Sequence, residues 1–90
     1  MMFTVDEARD ILRIDGPDND AQIMGLVAAL PVYLYETTGY KAAGEFSPVA
    51  LTAGRFLLWQ WYYGENADTD KLQRVIDCLL KALSAEREIQ

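Results

Sequence analysis

Residues 47–64 read SPVALTAGRFLLWQWYYG. Ser47 before Pro48 is a helix opening: the serine oxygen accepts from a free amide of the first turn, and proline at the first helical position gives up a donor that has no partner there. Gly64 is a natural stop. Between Pro48 and Gly64 the only charge is Arg55, and from Phe56 onward only Gln60 interrupts the apolar run. On a helix, Phe56, Trp59 and Tyr63 share one side, Leu58 and Tyr62 a second, Leu57 and Trp61 a third. A helix that is apolar all round needs cover on more than one face. Gly54 costs this helix about 1 kcal/mol relative to alanine, an expense that a close helix crossing would explain.

The flanking sequence supplies three further helices. Before it, Ile23, Leu26, Val27, Leu30, Leu34 and Thr37 recur at three- and four-residue steps, the period of one helix face. Asp18 or Asn19 is the expected cap and Gly39 the expected stop. Pro31 lies inside this pattern, so a kink or a break into two pieces is expected there. Earlier still, Thr4-Val5-Asp6-Glu7 has capping-box spacing and predicts a helix from about Val5 to Leu12, closed by the turn formers Asp15-Gly16-Pro17-Asp18. After the opening stretch, Glu65 to Asp70 reads as a polar linker. Leu72, Val75, Ile76, Leu79, Leu80 and Leu83 then form a regular stripe, giving a helix over Asp70 to Leu83 and a fraying end from Ala85 to Gln90. Lys41 to Phe46 is a short connection with some extended character. The expected fold is all-α: one domain over residues 1–90, a compact bundle of four helices with short loops.

Ninety residues with 51% apolar and 24% charged side chains suit one small folded domain with a limited core. Eight basic and fourteen acidic side chains give a formal charge of -6, the wrong sign for gaining affinity by releasing counterions from nucleic acid. Met1 to Arg13 mixes charged with apolar residues and shows no secretory signal, so the chain is expected to stay inside the cell that makes it. The single cysteine, Cys78, allows no disulfide within the chain, in keeping with a reducing compartment.

The surplus of apolar surface points to partners. Ala21 to Tyr35 holds no charged residue, so two of the four helices are apolar beyond a single stripe. Spanning a membrane takes about 20 consecutive apolar residues, and both stretches are shorter and interrupted by Gly25, Pro31, Arg55 or Gln60. The choice is between core and interface. A split is expected, with some rings buried in the subunit and others in a contact between copies, where Trp and Tyr are enriched. The candidate interface residues are Tyr35, Phe56, Trp59, Trp61, Tyr62 and Tyr63.

Enzymatic chemistry finds no constellation. There is no histidine, and Cys78, flanked by Ile76, Leu79 and Leu80, reads as a small buried apolar residue. Asp15, Asp18 and Asp20 crowd one loop, but the glycine and closing glutamate of a calcium loop are missing, and turn and cap duties account for them. The glycines form no phosphate-cradling loop. Lys71, Arg74 and Lys81 share one side of the last helix with Asp70 and Asp77, a solvated mixed-charge face. No catalytic residue, metal or cofactor is expected.

Three stretches resemble the small head-tail connector, or head-completion, proteins of tailed bacteriophages. Thr4-Val5-Asp6-Glu7-Ala8-Arg9 with Leu12-Arg13-Ile14-Asp15 is similar to that family's first helix and turn. Asp20-Ala21-Gln22-Ile23 leads into a long helix ending Glu36-Thr37-Thr38-Gly39, and Pro48 opens one ending Trp61-Tyr62-Tyr63-Gly64-Glu65. Order and spacing agree over Thr4 to Glu65, about two thirds of the chain. The sequence departs from the family in lacking an arginine before Glu65, in placing Pro31 within a usually continuous helix, and in ending on a full helix, so the family's C-terminal contacts do not carry over.

The resemblance implies a ring of identical subunits beneath the portal protein, bridging to tail-completion proteins and forming part of the DNA passage, with roles in DNA packaging and retention. It places the protein at the virion head-tail junction, and in host cytoplasm before assembly. Carboxylates facing the bore would let DNA slide without sticking, through a field confined to about 10 Å at ordinary salt; a bore lined by Lys71, Arg74 and Lys81 would contradict that. The competing reading is a small helical nucleic-acid-binding or regulatory module, such as the small subunit of a packaging enzyme, which should present a basic recognition helix. None of the four helices does.

Overall fold

The computed structural model describes residues 2–42, 44–64 and 69–89. They form four helices, α1 (Val5–Leu12), α2 (Asp20–Thr38), α3 (Pro48–Tyr63) and α4 (Thr69–Ile89), and no strand occurs among them. The expected linker Glu65 to Asp70 lies outside the described residues except for its last two, which already belong to α4.

Local chemistry sets most of the boundaries. At α1 the Thr4 hydroxyl accepts from the Glu7 amide at 3.2 Å and the Thr4 amide donates to the Glu7 carboxylate at 2.9 Å, a complete capping box. Its far end closes on Arg13 in the left-handed conformation, φ 59°, with the Ile14 amide reaching back to the Arg9 carbonyl at 2.9 Å. Ser47 caps α3 through the Ala50 amide, and Gly39 stops α2 with its amide on the Tyr35 carbonyl at 2.8 Å.

Four expectations need correction. α2 runs through Pro31 as one helix of 19 residues, so of the kink or break expected there the break does not occur; the proline removes one backbone donor, and the buried stripe of Ile23, Val27, Leu30 and Leu34 anchors the helix on both sides of it along the chain. Asn19 occupies the α2 cap but makes no side-chain cap bond, spending its amide on the Tyr62 hydroxyl at 2.8 Å instead. Thr38 is buried in place of Thr37, its hydroxyl donating to the Leu34 carbonyl at 2.6 Å and accepting from the Tyr40 amide at 3.1 Å. The last helix continues past Leu83 to Ile89, through the stretch expected to fray.

The core is assembled from one stripe of each helix: Leu12, then Ile23, Val27, Leu30 and Leu34, then Leu57 and Leu58, then Ile76 and Leu83. Each such side chain gains roughly 1.5–3 kcal/mol by leaving water. α2 and α3 each pack on all three other helices, whereas α1 and α4 hardly meet. The radius of gyration, 13.0 Å, is near the roughly 12 Å of a compact chain this long. Tyr40 is buried in the connection, its hydroxyl accepting from the Ser47 amide at 2.9 Å, and Ser47 donates in turn to Glu86 at 2.7 Å. That chain of bonds ties the start of α3 to the end of α4.

Candidate subunit-contact surfaces

All five α3 candidates are half-buried and pack against the core. Trp59 and Tyr63 pack at a tilt of 49° with centroids 4.5 Å apart, and Tyr62 meets Tyr63 edge-on at 5.1 Å. Trp61 turns toward α2 and meets Tyr33 edge-on at 5.3 Å. Such pairs add about 0.5–1.5 kcal/mol beyond the area they bury. The Tyr63 hydroxyl donates to the carbonyl of Leu12, the last residue of α1, satisfying an acceptor that a helix end leaves open. With the Asn19–Tyr62 bond, the end of α3 straps the α1–α2 turn to the bundle.

One part of this aromatic set remains accessible as a surface. Phe56 and Trp59, with Ile11, Arg55 and Leu72, line a groove of about 320 Å³ between α1, α3 and α4. Arg55 is exposed and makes no ion pair among the described residues. Glu7 lies near enough to feel its charge but spends its own carboxylate on Thr4, whose amide and hydroxyl hold the Glu7 pKa below the ordinary value.

The second surface is the outer face of α2, where sequence reasoning had singled out only Tyr35. Ala21, Gly25, Ala28, Ala29, Val32 and Tyr35 are exposed there, and none is charged. Val32 at 60% and Tyr35 at 54% are the most exposed large apolar side chains among the described residues. Gly25 sits mid-helix with nothing within 4 Å of where a side chain would begin, so no internal packing requires it. Beside Tyr35, residues of the α2–α3 connection including Tyr40, Lys41 and Phe46 frame a groove of about 690 Å³ with Pro31 and Val32. The clue in the sequence was the charge-free stretch itself: once its inner stripe is assigned to the core, the remaining uncharged positions must face outward.

Elsewhere the surface is ordinary. Arg9 donates through Nε to Asp20 at 2.9 Å and through Nη2 to its other oxygen, and also meets Asp6 at 3.0 Å. That fork lowers the Asp20 pKa and raises that of Arg9. One of the three loop carboxylates is thus engaged, and no cluster of three or more His, Cys, Asp or Glu that could hold a metal occurs among the described residues. Lys71, Arg74 and Lys81 are exposed among Asp70 and Asp77. Cys78 is exposed, not buried: it follows Ile76 by two positions, about 200° round the helix, while the stripe turns inward at Leu72, Ile76 and Leu83. Val75, placed in that stripe by its spacing, is 39% exposed. No helix among the described residues is long and apolar enough to cross a membrane.

No protein-family model, curated protein or solved structure matches the chain. The described geometry offers surfaces for contact, one an uncharged helix face and the other an aromatic groove, on a small all-α scaffold.

Proposed function

We propose that this protein is a structural subunit of a tailed-phage virion, a ring-forming head-tail connector that joins the portal to tail-completion proteins and works by assembly, not catalysis. The observation that carries self-association is the outer face of α2, which a single copy leaves uncharged and open from Ala21 to Tyr35. An uncharged helix face that leaves two large apolar side chains, Val32 and Tyr35, in water supports a contact site there. The particular role rests on the resemblance of Thr4 to Glu65 to head-tail connectors. The acidic balance supports a passage for DNA: phosphates meet a net charge of -6 and are not retained by the wall.

Electron microscopy of the purified protein, with light scattering across concentration, tests the reading. Annular particles of uniform diameter are the expected result. A compact monomer persisting at high concentration without any partner would refute self-association, and tight, salt-sensitive gel shifts with DNA would favour the nucleic-acid-binding alternative.

A further inference from the structure

We propose that the ring contact is made head to tail, with Val32 and Tyr35 on the outer face of α2 seated in the Phe56–Trp59–Leu72 groove of a second copy. This rests on the reading of the chain as a self-assembling subunit and specifies which surfaces meet. Val32 and Tyr35 are the largest apolar side chains left projecting on α2, and the groove of about 320 Å³ reaches the lower bound, about 300 Å³, of cavities that hold small ligands, room for a tyrosine ring. The knob is apolar and so is the groove floor.

Charge selects the occupant. The exposed face of α2 offers nucleic acid or an anionic membrane no cation of its own and has only Lys41 beside it, whereas both ligands need several. Copies of a chain carrying a charge of -6 repel one another, except where an uncharged face is presented or opposite charges are matched. The knob is followed directly by exposed Glu36, and the groove is edged by exposed Arg55, the one charged residue of α3. Seating one copy's knob in the next copy's groove brings Glu36 to Arg55 across the contact. Complementary rim charges of this kind steer encounter and fix register.

The head-to-tail arrangement is what makes a ring. The knob and groove share no residue, so a pair joined through one knob-in-groove contact, and not reciprocally through two, retains one free knob and one free groove. Such a contact repeats, and it closes into a ring when the rotation per subunit permits.

Charge exchange and subunit mixing test the pairing in the full-length protein, with oligomer mass followed by native mass spectrometry and light scattering. The positions altered are exposed, and circular dichroism verifies that each variant folds. E36R alone and R55E alone should each raise the concentration for half-assembly by about tenfold or more, and the two together in one chain should restore it. At a concentration where the wild type assembles and the single variants do not, Y35E, which spoils the knob, and R55E, which weakens the groove, should each be monomeric alone and form one-to-one dimers when mixed, since only one fully competent contact remains per pair. Rings that persist unchanged in all these variants would overturn this pairing and leave the ring reading standing. A wild-type assembly that stops at a two-fold dimer would overturn the head-to-tail arrangement. A wild-type chain that stays monomeric would overturn both.

Discussion

Gly25 and Gly54 each interrupt an almost uncharged helix at about 1 kcal/mol relative to alanine, yet they stand in opposite surroundings. A side chain added at Gly54 would begin 2.5 Å from the Met2 sulfur and 3.2 Å from the Phe3 ring; one added at Gly25 would meet nothing within 4 Å. It is the buried N-terminal segment, not a helix crossing, that uses the bare backbone of α3. The same contrast runs along both helices. α3, with its row of aromatic rings, is largely covered by its own chain, while α2, made mostly of small and aliphatic residues, keeps an uncharged side open. Aromatic content alone therefore points to the wrong helix for the most exposed apolar surface: the rings of α3 pack against their own chain, whereas Val32 and the ring of Tyr35 on the outer face of α2 do not.

The sharpest way to break this comparison is to truncate α2 on both sides. Leu30→Ala removes a fully buried side chain and should cost about 2–5 kcal/mol in urea unfolding. Val32→Ala, two residues on and 60% exposed, should stay within about 0.5 kcal/mol when measured below any assembly concentration. Equal losses would mean that the outer face is not outer.

The two glycines give the next largest effect, with opposite signs. Gly54→Leu should destabilise by about 1–3 kcal/mol through overpacking, because Phe3 and Met2 must move. Gly25→Ala should stabilise the isolated subunit by about 1 kcal/mol, raising Tm by about 4–8 °C. A stabilised Gly54→Leu protein would show that the N-terminal segment does not cover α3.

The smallest effect sits at the α1–α2 junction. The Arg9 fork lowers the Asp20 pKa in the folded chain, so its contribution is fully present above the ordinary carboxylate pKa of about 4 and fades as pH falls through the lowered folded value. The stability gap between the wild type and Asp20→Asn should hold from pH 7 to about 5 and close below about pH 4. A gap that widens on acidification would contradict the pairing. Salt should shrink it, since the pair is partly exposed.

The helices and their ends were legible because their signals are local. Thr4 with Glu7, Ser47 with Pro48, Gly39 and Gly64 act on amides and carbonyls within a turn of themselves, and the inner stripes of α2 and α4 repeat at the helical period. Cys78 and Val75 differ from their reading for want of a fixed helix phase: the spacing of α4 admits a wide stripe, and only packing against α2 and α3 decides which edge of it is wet. The candidate surfaces were half legible. Their residue types and the missing charges stood in the sequence, but Phe56 and Trp59 became a groove only through the positions of Ile11 and Leu72 on other helices.

By itself, the sequence determined an acidic, four-helix chain with more apolar surface than one stripe per helix can hide. Which of that surface stayed outside was decided by tertiary packing alone. Hydrophobic burial has no direction of its own, so on helices without charges to mark a wet side, the face turned inward depends on the shapes brought against it from distant parts of the chain.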